Sequence, residues 1–478
     1  MPKVYIAAAF RMFSDRTDLS KAYGMLLDSS HAKRLEKIEN LFIKFGFSCC
    51  LPHRDEGQWG REYFQPGPLS SLCLRHVETS DIIFAIAERG RGVHVELGFA
   101  SAFPDKKLIL MYKEGTEPST LIWGLTNDFS PWEIKSKTRG NMVIQSYKND
   151  EDLLNKTHQI LINRFKYKEH NTIRLKRHIG TIDIGSHTLK LKIFSYSKGG
   201  VANLIYKENE SLAIIDDVLN DGSFSNNTID KLIQYLTKCK EKCKDFSCER
   251  IVLTGTAALR KAKNTQELLI IVKKKLELDI DLIDAKKELS YLYSAVVASF
   301  FTSEKIGVLG LGGGSTQIGI GTTSKLENKY FLDFGTNLIS KKWSWDKSFS
   351  TREYNEIVKY VKDNFKRNVP NVIDVVENLV YTGGETEFML KCQLPLTVTN
   401  MSPIHVSKID INSFKVFCYQ FANLDPKAVF DKFHLDPKWA IGSIAANTIA
   451  LITAEMFGVK NIIPSNFNIS NGILLTIK

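Results

Sequence analysis

The sequence predicts an α/β protein built in tandem: a doubly wound parallel-sheet domain, then a larger, internally duplicated α/β fold with two lobes. Three observations lead there. Strand-like apolar runs alternate with amphipathic helical stretches from the first residues, the pattern of parallel strands joined by crossover helices. A basic, aperiodic stretch at residues 166–178 (KYKEHNTIRLKRH) interrupts the alternation and reads as a linker. Beyond it, a strand, a glycine turn and a second strand (TIDIGSHTLKLKIF) recur about 125 residues later as IGVLGLGGGSTQIGIG, which marks a duplicated unit with a cleft between its halves. The partition is 1–165, the linker 166–178, a first lobe at 179–300 and a second at 301–478. Its three compact units suit a chain of 478 residues at about 150 per domain.

The elements of the first domain follow in order. Lys3 to Ala9 reads as a strand, and His31 to Phe45 as a helix with Leu35, Ile38, Leu41, Phe42 and Phe45 on one face. Gly46 stands where a left-handed cap would end that helix. Next come a strand at Phe47 to Leu51, a helix through Leu72 to Thr79, a strand at Asp81 to Ala87 and a glycine-rich loop. A short helix near Val95 to Ala102, a strand at Lys107 to Met111 and a closing amphipathic helix from about Asp150 to Phe165 complete the domain.

Composition narrows the function classes. Hydrophobic residues make up 43% and charged residues 24% of the chain, which excludes disordered, collagen-like and fibrous proteins. Lys and Arg number 64 against 53 Asp and Glu, a net charge of +11, which favours anionic partners. No recognised nucleic-acid module occurs, so the surplus points to small phosphorylated ligands. The opening apolar run, MPKVYIAAAF, is short and followed by Arg11 and Asp15, unlike a secretory signal. The window Ala440 to Val459 is broken by Asn447, Thr448 and Glu455 and reads as a buried helix, not a membrane span. The expectation is a soluble, cytoplasmic protein without membrane association. Its eight cysteines are scattered; the one local group, Cys239, Cys243 and Cys248, lacks the paired spacing and fourth ligand of a structural zinc site.

Two places carry chemistry. In GRGVHVELGFASA, Glu96 is expected at a loop-to-helix junction after a parallel strand, where open α/β sheets bind ligands. Gly90 and Gly92 let backbone approach a substrate. The plain alternative, a surface Glu favoured by the helix dipole, fits the spacing equally well. In the second segment, Asp183, Gly185 and Ser186 form a turn offering amides and a hydroxyl to phosphate, with Asp183 able to hold a cation. Gly312, Gly313, Gly314, Ser315 and Thr316 form the second such loop. Neither has P-loop spacing, and each alone is readable as a hairpin turn.

Across roughly the first 160 residues the pieces KVYIAAAF, SDIIFAIAE, GVHVELGFASAF and KKLILMY resemble the nucleoside 2-deoxyribosyltransferase family, most closely its 2'-deoxynucleoside 5'-phosphate N-hydrolase branch. The resemblance implies a flavodoxin/Rossmann-like domain without a cofactor. It implies Glu96 as nucleophile, Tyr5 as the hydrogen-bond partner of that carboxylate and Arg11 as a holder of a 5'-phosphate. A carboxylate beside C1' stabilises or captures the oxocarbenium-like centre formed as an N-glycosidic bond breaks. Where the family has an assisting Asp on the preceding helix, this chain has Cys73. Asp81 is the replacement candidate, with a strand-end cap as the alternative; His76 and His94 are weaker acid/base candidates.

From Ile179 onward the ordered pieces IDIGSHTLKLKIF, TGTAALRKAKN, KKELSYLYSAV, LGLGGGSTQIGI, YTGGETEF and NIIPSNFNISNGILL resemble the exopolyphosphatase/guanosine pentaphosphate phosphatase (Ppx/GppA) family. That resemblance implies an actin-like ATPase (ribonuclease H-like) duplicated fold, Arg260 as a phosphate ligand and Glu288 as the catalytic Glu that orients the attacking water. Three departures concern the site: Gly310 replaces an Asp of the family's Mg2+ set, Gln317 replaces a Glu, and Ser470-Asn471-Gly472 replaces R-E-G. Loss of a carboxylate weakens a hard-cation site. The expectation is N-glycosidic cleavage or deoxyribosyl transfer in the first domain, joined to a second that binds (p)ppGpp, polyphosphate or a nucleotide with little phosphatase activity. The alternatives are an active phosphohydrolase in a bifunctional enzyme, an NAD+ glycohydrolase acting in stress or phage defence, and a pair of binding modules without chemistry. Relatives of both kinds imply a homo-oligomer.

Overall fold

A computed structural model describes residues 2–9, 14–15, 26–55, 59, 66–88, 91–116, 118, 122, 141–169, 177–196, 203–369, 372, 374–402, 404–435 and 442–477. The chain divides into two compact units: Met1–Arg177 with Ser195–Ile205, and His178–Phe194 with Tyr206–Lys478.

The first unit is a five-stranded parallel sheet. Strands β1 (Lys3–Ala7), β2 (Ser48–Cys50), β3 (Ile82–Ala87), β4 (Lys107–Lys113) and β5 (Met142–Tyr147) lie in the order 2-1-3-4-5, and every pairing is parallel. β5 completes the sheet beyond the strands that sequence pattern identifies. Alternation along each strand decides which face a residue serves. Val4, Ile6, Ile82, Phe84, Ile86, Ile109 and Met111 build one core with Leu35, Ile38 and Phe42 of α1 (Ser29–Lys44). Tyr5, Ala7, Ile83, Ala85, Leu108 and Leu110 build the other, with Val77 of α2 (Pro66–Glu78) and Val93 and Leu97 of α3 (Arg91–Ala100). Strands buried on both faces read as continuous apolar runs, which is why β3 and β4 are legible in the sequence.

Boundaries shift where caps decide them. Asp28 caps α1 by accepting from the Ser30 and His31 amides, so the helix begins two residues before its expected start. Gly46, at φ +83°, ends it as expected. α3 begins at Arg91, so Glu96 lies in its second turn and not at the loop-to-helix junction, and Gly92 is inside the first turn with nothing within 4 Å of a side-chain position. The closing helix α4 (Asp150–Gln159) continues as a π-helical turn, Ile160–Arg164. The first residues of the expected linker belong to the first unit: Tyr167 packs on its core and its hydroxyl accepts from Lys107 Nζ at 2.7 Å.

The second unit shows the duplication in its strand order. One sheet runs β8-β7-β6-β9-β10, with β6 Arg177–Ile184, β7 Thr188–Tyr196, β8 Asn203–Ser211, β9 Arg250–Gly255 and β10 Ile280–Leu282. The other begins β13-β12-β11-β14-β17 and adds β16 and β15 at one edge. Its strands are β11 Ile306–Leu311, β12 Thr316–Gly321, β13 Leu326–Leu332, β14 Asn378–Thr382, β15 Thr397–Val398, β16 Ser407–Asp410 and β17 Asn461–Ser465. Each half therefore repeats the order 3-2-1-4-5, with parallel partners beyond the first strand. Both α/β architectures agree with the fold expected from sequence.

Helices carry the remaining site residues: α5 Asn226–Asp245, α6 Ala257–Lys261, α7 Ala285–Val297, α8 Thr336–Lys342, α9 Glu385–Lys391 and α10 Ile469–Thr476. Although α7 falls within residues 179–300, its Leu292, Tyr293 and Val296 pack on Ile306, Val308, Val380 and Ile463 of the second sheet. The helix Ser443–Met456 is buried along most of its length, and among the described residues no helix is long and apolar enough to cross a membrane.

Candidate functional site

In the first unit the structure brings Tyr5 and Glu96 together. Tyr5 is an odd-numbered residue of β1, so it faces α3, and its hydroxyl donates to Glu96 Oε1 at 2.6 Å. Burial pushes the Glu96 carboxyl up to about 7 against the opposing pull of that hydrogen bond; burial and the Glu96 charge raise the Tyr5 hydroxyl. His76 stacks on the Tyr5 ring at 6.5 Å. Cys73 packs against the same core cluster. A buried polar network fixes the neighbouring strand end: Arg34 grips Glu88 bidentately at 3.0 and 2.9 Å and donates to Tyr147 Oη at 2.6 Å.

Asp81 is a correction. It precedes β3 at the strand's amino end, is exposed, and accepts from the Lys3 amide at 2.7 Å, whereas Glu96 follows the strand's carboxyl end. Asp81 is thus a strand-end cap and not a replacement acid. Arg11 and Gly90 lie outside the described residues.

In the second unit both glycine loops close as hairpins and meet. Gly185 N–H donates to Thr188 O at 3.2 Å, and a side chain at 185 would lie 2.7 Å from that carbonyl, so the turn requires glycine. Gly312 N–H donates to Ser315 O at 3.0 Å, and the Thr336 and Asn337 amides of α8 donate to Gly312 O and Gly313 O. His187 Nε2 bonds Asn337 Oδ1, joining the loops, and Gly314 faces Ser186 Oγ, 3.7 Å from its side-chain position. The Thr316 hydroxyl is committed elsewhere, donating to Phe334 O at 2.8 Å; it ties the loop down and has no hydrogen left for phosphate. Gln317 Nε2 likewise donates to Ser315 Oγ at 2.9 Å.

Asp183 and Glu288 converge near these loops. Asp183 is 8% exposed and its Oδ1 has no hydrogen bond. Burial raises its carboxyl against the pull of Lys190 and Lys192. Glu288, in the first turn of α7, is pushed up to about 7, chiefly by burial and then by the Asp183 charge, while Arg260 opposes the shift. Arg260 Nη1 stands 3.6 Å from Glu288 Oε2 and donates to Ile283 O at 2.5 Å, so its guanidinium is already aimed.

Asp183 Oδ1, buried without a hydrogen bond, suits a hard cation held by one protein carboxylate and completed by water and ligand oxygens. A protein-only cage does not form: among the described residues no three acidic, His or Cys side chains could share a metal. An acid at position 310 would have to displace Leu292, whose Cδ2 lies 2.6 Å from where its Cβ would be, with Gln317 Oε1 3.2 Å away. β11 carries Gly310 where the repeat, β6, carries Asp183.

Three side chains in the same region escape sequence reasoning. Lys192 Nζ donates to Asn466 O, Asn468 Oδ1 and Asn471 Oδ1 at 3.1–3.3 Å, and burial lowers it to about 7. Glu385, first residue of α9 after Gly383 and Gly384 at φ +123° and +121°, is pushed up to about 8 by burial while Lys190 and Tyr381 oppose the shift. Lys190 therefore lies within electrostatic reach of Asp183, Glu288 and Glu385. The signal for all three sits in TLKLKIF and YTGGETEF: cations alternating along a strand, and a Glu directly after a glycine pair.

Comparison with known proteins agrees with this geometry. A bifunctional 3-dehydroquinate synthase/phosphatase of Fusobacterium nucleatum is 26% identical over 376 residues, covering 74% of this chain and 54% of that protein. Exopolyphosphatase 1 of Mycobacterium tuberculosis is 22% identical over 166 residues, 34% of this chain and 48% of the relative; the chain spans about half the length of the curated relatives it matches. The crystal structure of the Aquifex aeolicus Ppx/GppA family member superposes with a TM-score of 0.54 at 23% identity, over 63% of this chain and 97% of that one. An exopolyphosphatase structure from Cytophaga hutchinsonii gives 0.54 at 15% identity, over the same shares. The Ppx/GppA phosphatase family model matches residues 193–477, and with the paired loops and the repeated strand order this places the chain in the Ppx/GppA phosphatase family.

Proposed function

We propose that the two-lobed unit hydrolyses a terminal phosphoanhydride bond of a linear polyanion, either polyphosphate or the 5'-triphosphate end of a guanosine alarmone. The observation that carries this is Glu288: a buried carboxyl pushed up to about 7, with Arg260 Nη1 3.6 Å away. A base with that proton affinity is suited to take a proton from water near neutral pH. Arg260 and the backbone of the Gly312–Ser315 loop stabilise charge on the transferring phosphoryl group. Asp183 would hold Mg2+, which would supply charge neutralisation at the phosphate oxygens. The relatives' names, an exopolyphosphatase and a guanosine-5'-triphosphate,3'-diphosphate pyrophosphatase of Photobacterium profundum, support hydrolysis over ligand sensing alone. The test is phosphate release from polyphosphate and pppGpp with Mg2+. Glu288→Gln should lower it by roughly 10²-fold or more; no release by the unaltered protein with any divalent cation would leave a sensor and overturn the reading.

A second reading applies to the first unit, which has the one contact its chemistry needs. Tyr5 Oη at 2.6 Å from Glu96 Oε1 holds a buried carboxylate in one orientation, as a nucleophile at C1' of a nucleotide requires. Deoxynucleoside monophosphates incubated with the protein should yield free base, and Glu96→Gln should abolish it. Free nicotinamide from NAD+ distinguishes the other substrate with a labile C1' bond.

A further inference from the structure

The carboxyl end of α5 holds two cysteines in a geometry that brings their sulfurs together. Phe246 is the C-cap and Ser247 adopts φ +52°. Ser247 N–H donates to Lys244 O at 2.9 Å and Cys248 N–H to Cys243 O at 2.8 Å. These two bonds define a Schellman turn, in which the side chains flanking the loop meet, usually as an apolar contact. Here both are thiols, and each is the largest influence on the other's acidity. Cys243 is buried, whereas Cys248 is partly exposed. Cys239, one turn earlier, is buried and engaged with Tyr235.

We propose that Cys243 and Cys248 form a reversible disulfide, making the end of α5 a redox modification site that responds to peroxide.

The two thiols have distinct roles. The neighbouring Cys243 lowers Cys248 below the usual thiol range, while Cys248 and burial raise Cys243. Cys248 is the accessible thiolate that attacks and Cys243 the resolving thiol. Cys248 sulfur displaces hydroxide from hydrogen peroxide, giving a sulfenic acid and, with a proton, water. Cys243 sulfur then attacks the Cys248 sulfur, losing its proton and expelling a second water as the sulfur–sulfur bond forms. Two thiols are oxidised and one peroxide is reduced to two waters; a dithiol reverses the change. The site has a structural reach as well: Cys243 Sγ is pressed over Gly180 so closely that a side chain there would collide. β6 continues from Gly180 to Asp183.

Lys244 lies between the two cysteines, so trypsin reads the bond directly. Full-length protein is treated with peroxide, its remaining thiols are alkylated, and it is digested without reductant. The expected product is Cys243–Lys244 joined to Asp245–Arg250, two hydrogens lighter than the separate peptides and split by dithiothreitol. Cys239→Ser should retain that species and Cys248→Ser should lose it. Oxidation of Cys248 to sulfinic acid without a cross-link, or a cross-link to Cys239, overturns the proposal. Both of these outcomes are measured on the protein without substitutions, so the test does not depend on whether a variant folds.

Discussion

At Glu288 two effects of opposite sign compete, and the one that opposes ionisation wins. Burial and the Asp183 charge oppose ionisation, and Arg260 favours it. A carboxyl raised from the ordinary carboxylate range to about 7 is protonated below neutrality and a base above it, so phosphate release should rise as pH passes upward through about 7. The folded state holds that proton more tightly than the unfolded chain, so stability should fall as pH rises from the ordinary carboxylate value of 4.5 to about 7 and level off above it. A rate–pH profile checks the first statement; a profile flat from pH 5 to about 9 would exclude Glu288 as the base. Glu288 is visible in KKELSYLY, but its proton affinity is not, because burial and the neighbouring charges come from Asp183 and Arg260 on other elements. Asp81 shows the reverse: a carboxylate beside a conspicuous strand, placed by the fold at the wrong end for catalysis.

The paired hairpins act as elements, each setting the other's shape. Gly313 faces His187 Cδ2 at 2.5 Å and Asn337 Oδ1 at 2.9 Å from its side-chain position, so even a methyl group there must displace the His187–Asn337 contact. Gly313→Ala should destabilise the protein by about 1–3 kcal/mol and, by shifting the loop about 1 Å, reduce phosphate release by roughly 10²-fold. Thermal melting and steady-state rates measure the two effects. Wild-type turnover in Gly313→Ala would show that this loop does not position phosphate. The glycine runs announce both hairpins in the sequence. Their mutual contact is not announced, since His187 and Asn337 are 150 residues apart. The Thr316 hydroxyl, offered by pattern to phosphate, is consumed by Phe334 for the same reason: the partner carbonyl comes from the loop after β13.

At the scale of the whole molecule, each of the two α/β units carries a buried carboxyl pushed up to about 7, Glu96 in the first and Glu288 in the second. Glu96→Gln should leave phosphate release at its wild-type rate, and Glu288→Gln should leave release of free base unchanged. A shared loss in either variant, measured in parallel assays, would show one composite activity instead of two. The sequence by itself determined the alternation of strands and helices and the duplicated strand–turn–strand units, because periodicity and glycine turns are local properties of the chain; Glu96 and Asp183 stood out beside glycine loops, and Tyr5, Arg260 and Glu288 were named by resemblance to known families. Only the tertiary structure decided which candidates meet. It set Tyr5 against Glu96 from strand and helix, gathered Lys190 near Asp183, Glu288 and Glu385, filled the space at Gly310 with Leu292, and moved α7 onto the second sheet. Those outcomes depend on burial and on neighbours distant in sequence, and no local pattern encodes either.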